Sequence, residues 1–316
     1  MLYRTLPGTG VRVSVLGLGT GTRFGDARRN PPPAAARLVR AALDLGINYI
    51  DTASGYGDAE TLLGGALAGL ERDQFILATK FFPMDPQGSV ITPAQLRLSV
   101  EQSLRRLRLE TVDVLQIHGL RPHWLEPVMT ALGTELSMLR QEGKYRWLGV
   151  SETIVEDPRH DSVPRAVTDS RFATALVAYH ALSPWAELTA LPACEAHHVG
   201  VIGMVAVGKS LREPATLERL LRDSRARGEQ VATALPVENP LEWLRDAHSP
   251  TLAAAGLRFA ASHPAVSCVL AGTLNPDHLR ENAVAVTAPP FAEDVRARVR
   301  ELFLHTDPAY WRPCDV

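Results

Sequence analysis

Short apolar runs of strand length alternate along this chain with longer segments in which apolar residues recur every three or four positions. The runs are Val15 to Leu18, Tyr49 to Ile50, Phe75 to Ala78, Val112 to Ile117, Trp147 to Val150, Ala175 to Ala178, Val201 to Val205 and Val266 to Leu270. Each is followed by a segment of helical period, and that alternation signals β-α units around a parallel sheet. The helical segments carry their own punctuation. Pro33 to Leu45 stops at Gly46, a residue suited to the left-handed position after a helix. Thr92-Pro93-Ala94-Gln95 offers an N-cap, a proline at the first helical position and a capping-box Gln ahead of a run to Leu107. Trp124 to Glu142 closes at Gly143, and Leu252 to Ser262 closes before Pro264.

Eight such units without a linker-like break predict one (β/α)8 TIM barrel domain spanning residues 1–316. Tyr3 to Thr5 and Val11 to Val13 flank Pro7-Gly8-Thr9-Gly10 and predict an N-terminal β-hairpin. Two further helical segments are expected: Leu217 to Arg227, inside a long insertion from Lys209 to Pro250, and Val295 to Phe303 before the tail. The competing architecture is an open doubly wound sheet, supported by Gly17-x-Gly19-x-Gly21 after the first run. A dinucleotide fingerprint needs a helix opening at those glycines. Here the chain runs through Arg23-Phe24-Gly25-Asp26 into Asn30-Pro31-Pro32-Pro33, which disfavours a helix there.

Composition narrows the partners. A net charge of -2 gives no field to gather nucleic acid or an anionic membrane, so a small-molecule substrate is the simpler expectation. Cys194, Cys268 and Cys314 are widely spaced and lack metal or CxxC spacing. No apolar run approaches the ~20 residues of a membrane span, and a cytoplasmic location is expected. His197-His198 lacks supporting carboxylate or cysteine spacing and reads as a solvated turn, so no metal is expected.

In a barrel of this kind, residues at the C-terminal ends of the strands face one mouth. Three successive strands each present an ionisable group there: Asp51, Lys80 and His118. Singly these read as a turn cap, a solvated lysine and a core histidine. Jointly, with Tyr56 in the following Asp51-Thr52-Ala53-Ser54-Gly55-Tyr56-Gly57 stretch, they suit proton transfer to an oxygen. Asp51 would hold Lys80 protonated, the Lys80 ammonium would lower the Tyr56 phenol, and a neutral His118 would donate to a carbonyl oxygen. Phe24, Phe82, Trp124 and Trp185 follow strand ends and are candidates for lining a substrate pocket.

The D-T-A-x-x-Y-G motif with Lys80 and His118 resembles the aldo-keto reductase superfamily, and Asp51, Tyr56, Lys80 and His118 match its catalytic tetrad in order. The resemblance extends to Leu18-Gly19-Thr20, Glu60-Thr61-Leu62-Leu63-Gly64, Gly149-Val150-Ser151, Gly272-Thr273 and Glu281-Asn282. It implies a metal-free oxidoreductase that uses NADPH, less often NADH, to interconvert carbonyls and alcohols. By family pattern the cofactor positions are Gly19, Thr20, Asp51, Ser151, Glu152, Met204, Gly272, Thr273, Arg280, Glu281 and Asn282. Several depart from the family. Ser151-Glu152 stands where Ser-Asn usually holds the carboxamide, Leu176 where a Gln is usual, and Met204 where an aromatic usually stacks. Glu152 is expected to accept the carboxamide NH2 without donating to its oxygen. Gly272, Leu274 and His278 stand where cations usually grip the 2′-phosphate, leaving Arg280 as the nearest one, which implies a weakened NADPH preference. These departures motivate two rival readings, a cofactor-independent lyase or isomerase and a nucleotide-sensing barrel without turnover.

Overall fold

A computed structural model describes residues 1–21 and 23–311; Cys314 lies outside the described residues. The first two strands, β1 (Tyr3–Leu6) and β2 (Val11–Ser14), form the expected antiparallel hairpin. The next eight are β3 (Leu16–Gly19), β4 (Tyr49–Asp51), β5 (Ile76–Phe81), β6 (Val112–Leu120), β7 (Tyr145–Glu152), β8 (Phe172–Ala178), β9 (Gly200–Met204) and β10 (Val266–Ala271). They pair in parallel, in chain order, and β10 closes on β3 to complete the barrel. Helices run between the strands, so the (β/α)8 expectation holds and the glycines of β3 open no helix: the chain reaches Pro32 before the helix Pro32–Asp44 begins.

Two apolar layers hold this arrangement. Tyr49, Ala78, Val114, Leu176, Ile202 and Cys268 fill the barrel interior together with Leu6 and Val13 of the hairpin, which closes the N-terminal end. The larger layer lies between the strands and the surrounding helices. Strand residues therefore alternate between two apolar environments, which is why they read as near-continuous apolar runs. The capping box at Thr92 forms as the sequence implies, with Gln95 N donating to Thr92 Oγ1 and Thr92 N donating to Gln95 Oε1.

The insertion folds into helices Lys209–Arg212, Pro214–Ala226 and Gln230–Ala234, and the late helix spans Glu293–Phe303. One strand boundary differs from expectation. β9 stops at Met204 because Val205 takes φ 59°, a left-handed conformation that a β-branched residue rarely adopts. Among the described residues no helix is long and apolar enough to cross a membrane.

Candidate active site

The parallel barrel brings the ends of β4, β5 and β6 to one mouth, and with them Asp51, Lys80 and His118. Lys80 and His118 lie within their strands rather than just after them, because β5 runs to Phe81 and β6 to Leu120. Lys80 is 1% exposed, so its ammonium must find its partners inside the protein. Lys80 Nζ donates to Asp51 Oδ1, to the Thr52 carbonyl at 2.8 Å and to Tyr56 Oη at 3.4 Å. The Tyr56 ring also lies beneath the ammonium, 4.8 Å from centroid to Nζ.

His118 completes the group. Its ring meets Tyr56 edge-on with centroids 5.6 Å apart and lies 4.4 Å from the half-exposed ring of Phe82. Its Nδ1 is enclosed without a hydrogen-bond partner among the described residues. The β6–β7 ladder loses register between Ile117 and Leu120, and Gly119 takes φ 63° there. A bulge at this point bends the strand and re-aims His118 at the mouth.

The electrostatics follow from burial. Desolvation, then the nearby Lys80 ammonium, pushes the His118 imidazole down to about 3, so it is neutral over the physiological range. Desolvation also raises the Asp51 carboxyl, against the pull of Lys80 and Gln116. Tyr56 corrects the expectation of a lowered phenol. Burial pushes it up by more than the Lys80 ammonium pulls it down, and the Asp51 charge adds to the rise. The ammonium offsets part of the cost of burying a tyrosinate without removing it.

The loop that carries Tyr56 is stitched to the strands. Thr52 N donates to the Ala78 carbonyl, and both Ser54 N and Ser54 Oγ donate to the Lys80 carbonyl. Tyr56 N closes a turn on the Ala53 carbonyl, and Ala59 N donates to the Tyr56 carbonyl at the start of helix Ala59–Ala66. Glu60 anchors that helix: it accepts from Thr79 Oγ1 at 2.6 Å and from Arg106 Nε at 2.7 Å. A side chain at Gly64 would come within 2.2 Å of the Arg106 carbonyl oxygen, so the Glu-Thr-Leu-Leu-Gly stretch is a packing device for the tyrosine loop.

The remaining candidates separate by position. Phe82 is 52% exposed beside His118, whereas Phe24 is 2% exposed within the main core. Trp124 is half-buried with the Arg121 guanidinium 4.1 Å from its ring, and Trp185 donates from Nε1 to the Thr306 carbonyl. Gly19 lies opposite Asp51 in the β3–β4 register, and a side chain at Gly272 would approach the Gly19 carbonyl oxygen at 3.6 Å. Thr20 donates to the Asp51 carbonyl at 3.0 Å. An ideal Cβ on Gly21 would sit 3.6 Å from the Tyr56 ring. Gly21 thus borders the Tyr56 ring and Gly272 borders Gly19, three positions at the strand ends where no side chain stands.

Ser151 is buried at the end of β7, Leu176 packs inside the barrel, and Met204 ends β9 part-buried. Thr273 Oγ1 accepts from Asn275 N at 3.1 Å, just before the helix Pro276–Thr287 that carries Arg280, Glu281 and Asn282. Arg280 is exposed and paired with Asp277.

Glu152 is already engaged. Its Oε1 accepts from the Ala178 backbone N–H at 2.6 Å, and both oxygens lie 2.8 to 2.9 Å from His160 Nδ1. His160, buried and at φ 62°, was not legible as a partner, because the seven residues between it and Glu152 form no regular element. Gln116 was also missed: its Nε2 donates to Asp51 Oδ2 at 2.9 Å. A signal for it exists, since Gln116 stands two residues before His118 on a strand and so on the same face.

The chain has relatives among known proteins. It is 27% identical over 309 residues to L-galactose dehydrogenase of Arabidopsis thaliana, covering 90% of this chain and 88% of that protein. Among solved structures it resembles the holo form of aldo-keto reductase AKR11C1 from Bacillus halodurans, with a TM-score of 0.72, 27% identity and coverage of 98% of this chain and 99% of that one. An aldo-keto reductase from Klebsiella pneumoniae, solved in complex with NADPH, matches with a TM-score of 0.69 and 26% identity over 96% of each chain. The family model described as Aldo/keto reductase family matches residues 15–303, the whole barrel and the two helices that follow its last strand, and the chain belongs to that family.

Proposed function

We propose that this oxidoreductase interconverts a carbonyl and an alcohol with a nicotinamide cofactor, and that Tyr56 exchanges the proton. One observation carries the reading: the buried Lys80 ammonium is shared between the Asp51 carboxylate and the Tyr56 hydroxyl. An ammonium held there favours the tyrosinate that remains after the phenol gives up its proton. Neutral His118, with its ring against Tyr56, has one N–H to donate to a substrate oxygen. Phe82, packed on His118 and open to solvent, offers the apolar wall that keeps water from the reacting oxygen.

The backbone-lined rim at Gly19, Gly21 and Gly272 fits an extended cofactor, and NADPH in the Klebsiella relative supports the same class here. Ser151, Met204, Thr273, Arg280, Glu281 and Asn282 are the side chains assigned to hold it. When bound, it supplies or takes the hydride at the substrate carbon. Arg280 is the nearest cation for a 2′-phosphate and is partly neutralised by Asp277, so a weak preference between NADPH and NADH follows.

The test begins with titration of the purified protein by NADPH and NADH, followed by tryptophan quenching, then turnover across aldehydes, ketones and free sugars. Sugars belong in that panel because the Arabidopsis relative is an L-galactose dehydrogenase. Tyr56→Phe is expected to keep cofactor affinity and lose roughly 10²- to 10⁴-fold in turnover. Failure to bind either nucleotide rules out the redox reading.

A further inference from the structure

Asp51 is 3% exposed at the barrel mouth, yet both carboxylate oxygens are occupied: Oδ1 by Lys80 Nζ and Oδ2 by Gln116 Nε2 at 2.9 Å. Gln116 stands opposite Lys80 in the β5–β6 register and opposite Gly149 in the β6–β7 register, so the three lie at one level of the barrel. Gly149 makes room for it. An ideal Cβ there would lie 3.0 Å from Gln116 Cγ and 2.3 Å from Thr174 Oγ1. Gln116 is fully buried, and its Oε1 finds no partner among the described residues. The amide is therefore spent on one contact. Its NH2 must face the carboxylate, because turning Oε1 toward Asp51 would set two acceptors against each other.

We infer that Gln116 is a positioning residue of the proton-transfer site, holding the second oxygen of Asp51 so that the carboxylate stays ionised and keeps Lys80 aimed at Tyr56. The inference rests on the proposed role of Tyr56. A buried carboxylate with one partner removed has two responses, protonation or rotation, and each weakens its hold on the ammonium. The Asp51 charge raises the phenol while the ammonium it aims lowers it, so either response displaces the pH limb assigned to Tyr56.

The experiment compares Gln116→Met, Gln116→Glu and Tyr56→Phe in the full chain with a substrate turned over by the wild type. Gln116→Met keeps the volume and removes the donor. Turnover is expected to fall roughly 10- to 100-fold with the alkaline limb displaced from its wild-type position, while the cofactor dissociation constant stays within about twofold. Gln116→Glu donates only while the introduced carboxyl is protonated, so its activity is expected to decline as pH rises across a range where the wild type is flat. This second variant keeps the test open if Gln116→Met fails to fold. A purely structural role would lower thermal stability and active fraction without moving either pH profile, and that result overturns the inference. Wild-type turnover in Tyr56→Phe overturns the Tyr56 reading and the Gln116 role with it. Collapse in Tyr56→Phe beside unaltered profiles in both Gln116 variants overturns the Gln116 role alone.

Discussion

The carbonyl oxygen of Tyr56 occupies the place a methyl group on Gly25 would take, 1.7 Å from the ideal Cβ position. The two loops at the ends of β3 and β4 thus meet backbone to backbone, and Asp58 N donates to the Gly25 carbonyl at 2.9 Å. Gly25→Ala must push the tyrosine loop away. Overpacking of this kind costs about 1–3 kcal/mol, but the loss of turnover is expected to exceed what the unfolded fraction accounts for. Comparing the thermal midpoint with turnover per folded molecule checks this; a variant that loses stability and activity in step removes Gly25 from the positioning of Tyr56.

Lys80→Met acts on the same proton from the other side. Without the ammonium, Asp51 stays buried with Gln116 as its donor and takes up a proton, and Tyr56 loses the one contact that lowers it. Turnover is expected to fall by about 10² or more. If both groups serve one proton transfer, as proposed, the double variant with Tyr56→Phe is expected to be little worse than the poorer single variant. Full additivity of the two losses would place Lys80 and Tyr56 in separate steps.

The barrel and the Asp51, Tyr56, Lys80 and His118 group were legible because each depends on periodicity or on strand ends. The apolar runs ended at ionisable residues, and a parallel barrel sends all strand ends to one face. What stayed hidden depends on contacts between segments distant in sequence. The lysine–tyrosine pairing suggested a lowered phenol, but its sign turned on how deeply the ring is buried, which residue order does not encode. Gly25 looked like part of an irregular loop, and only the path of the second loop shows why a side chain is excluded. Glu152 looked free to meet a ligand, since nothing in the sequence shows that His160 folds back onto it.

That pairing sets what Glu152→Asn should do. The shorter amide leaves the Ala178 N–H and the buried His160 ring without their acceptor. A buried donor left unsatisfied costs about 1–3 kcal/mol, so a clear fall in the urea midpoint is expected, together with loosening of the segment between Glu152 and His160. Glu152→Gln, which retains an acceptor oxygen at full reach, is expected to lose less. Urea unfolding with hydrogen exchange on residues 153–161 measures both effects. An unchanged midpoint for Glu152→Asn would mean that the Glu152–His160 contact contributes nothing to the fold.

Three other histidines set the acid limit of the fold. Burial pushes His118 and His180 down to about 3 and His263 to about 4. In the unfolded chain each titrates near ~6.5. Between those values the unfolded state binds protons that the folded state refuses, so stability is present above ~6.5 and is lost as pH falls toward 4. His160 works in the opposite sense: Glu152, Asp157 and Asp161 outweigh its burial and raise it, so its contribution is present below ~6.5 and is lost as pH rises. A stability maximum above pH ~7 follows, because three histidines outweigh one until their unfolded forms are largely deprotonated, with proton uptake on unfolding at pH ~5.5 approaching three, each proton changing stability by about 1.4 kcal/mol per pH unit. Urea unfolding at closely spaced pH values gives that slope, and imidazole NMR titration assigns it to residues. A His118 resonance that titrates near 6.5 in the folded protein would contradict the neutral imidazole on which its role toward the substrate oxygen depends.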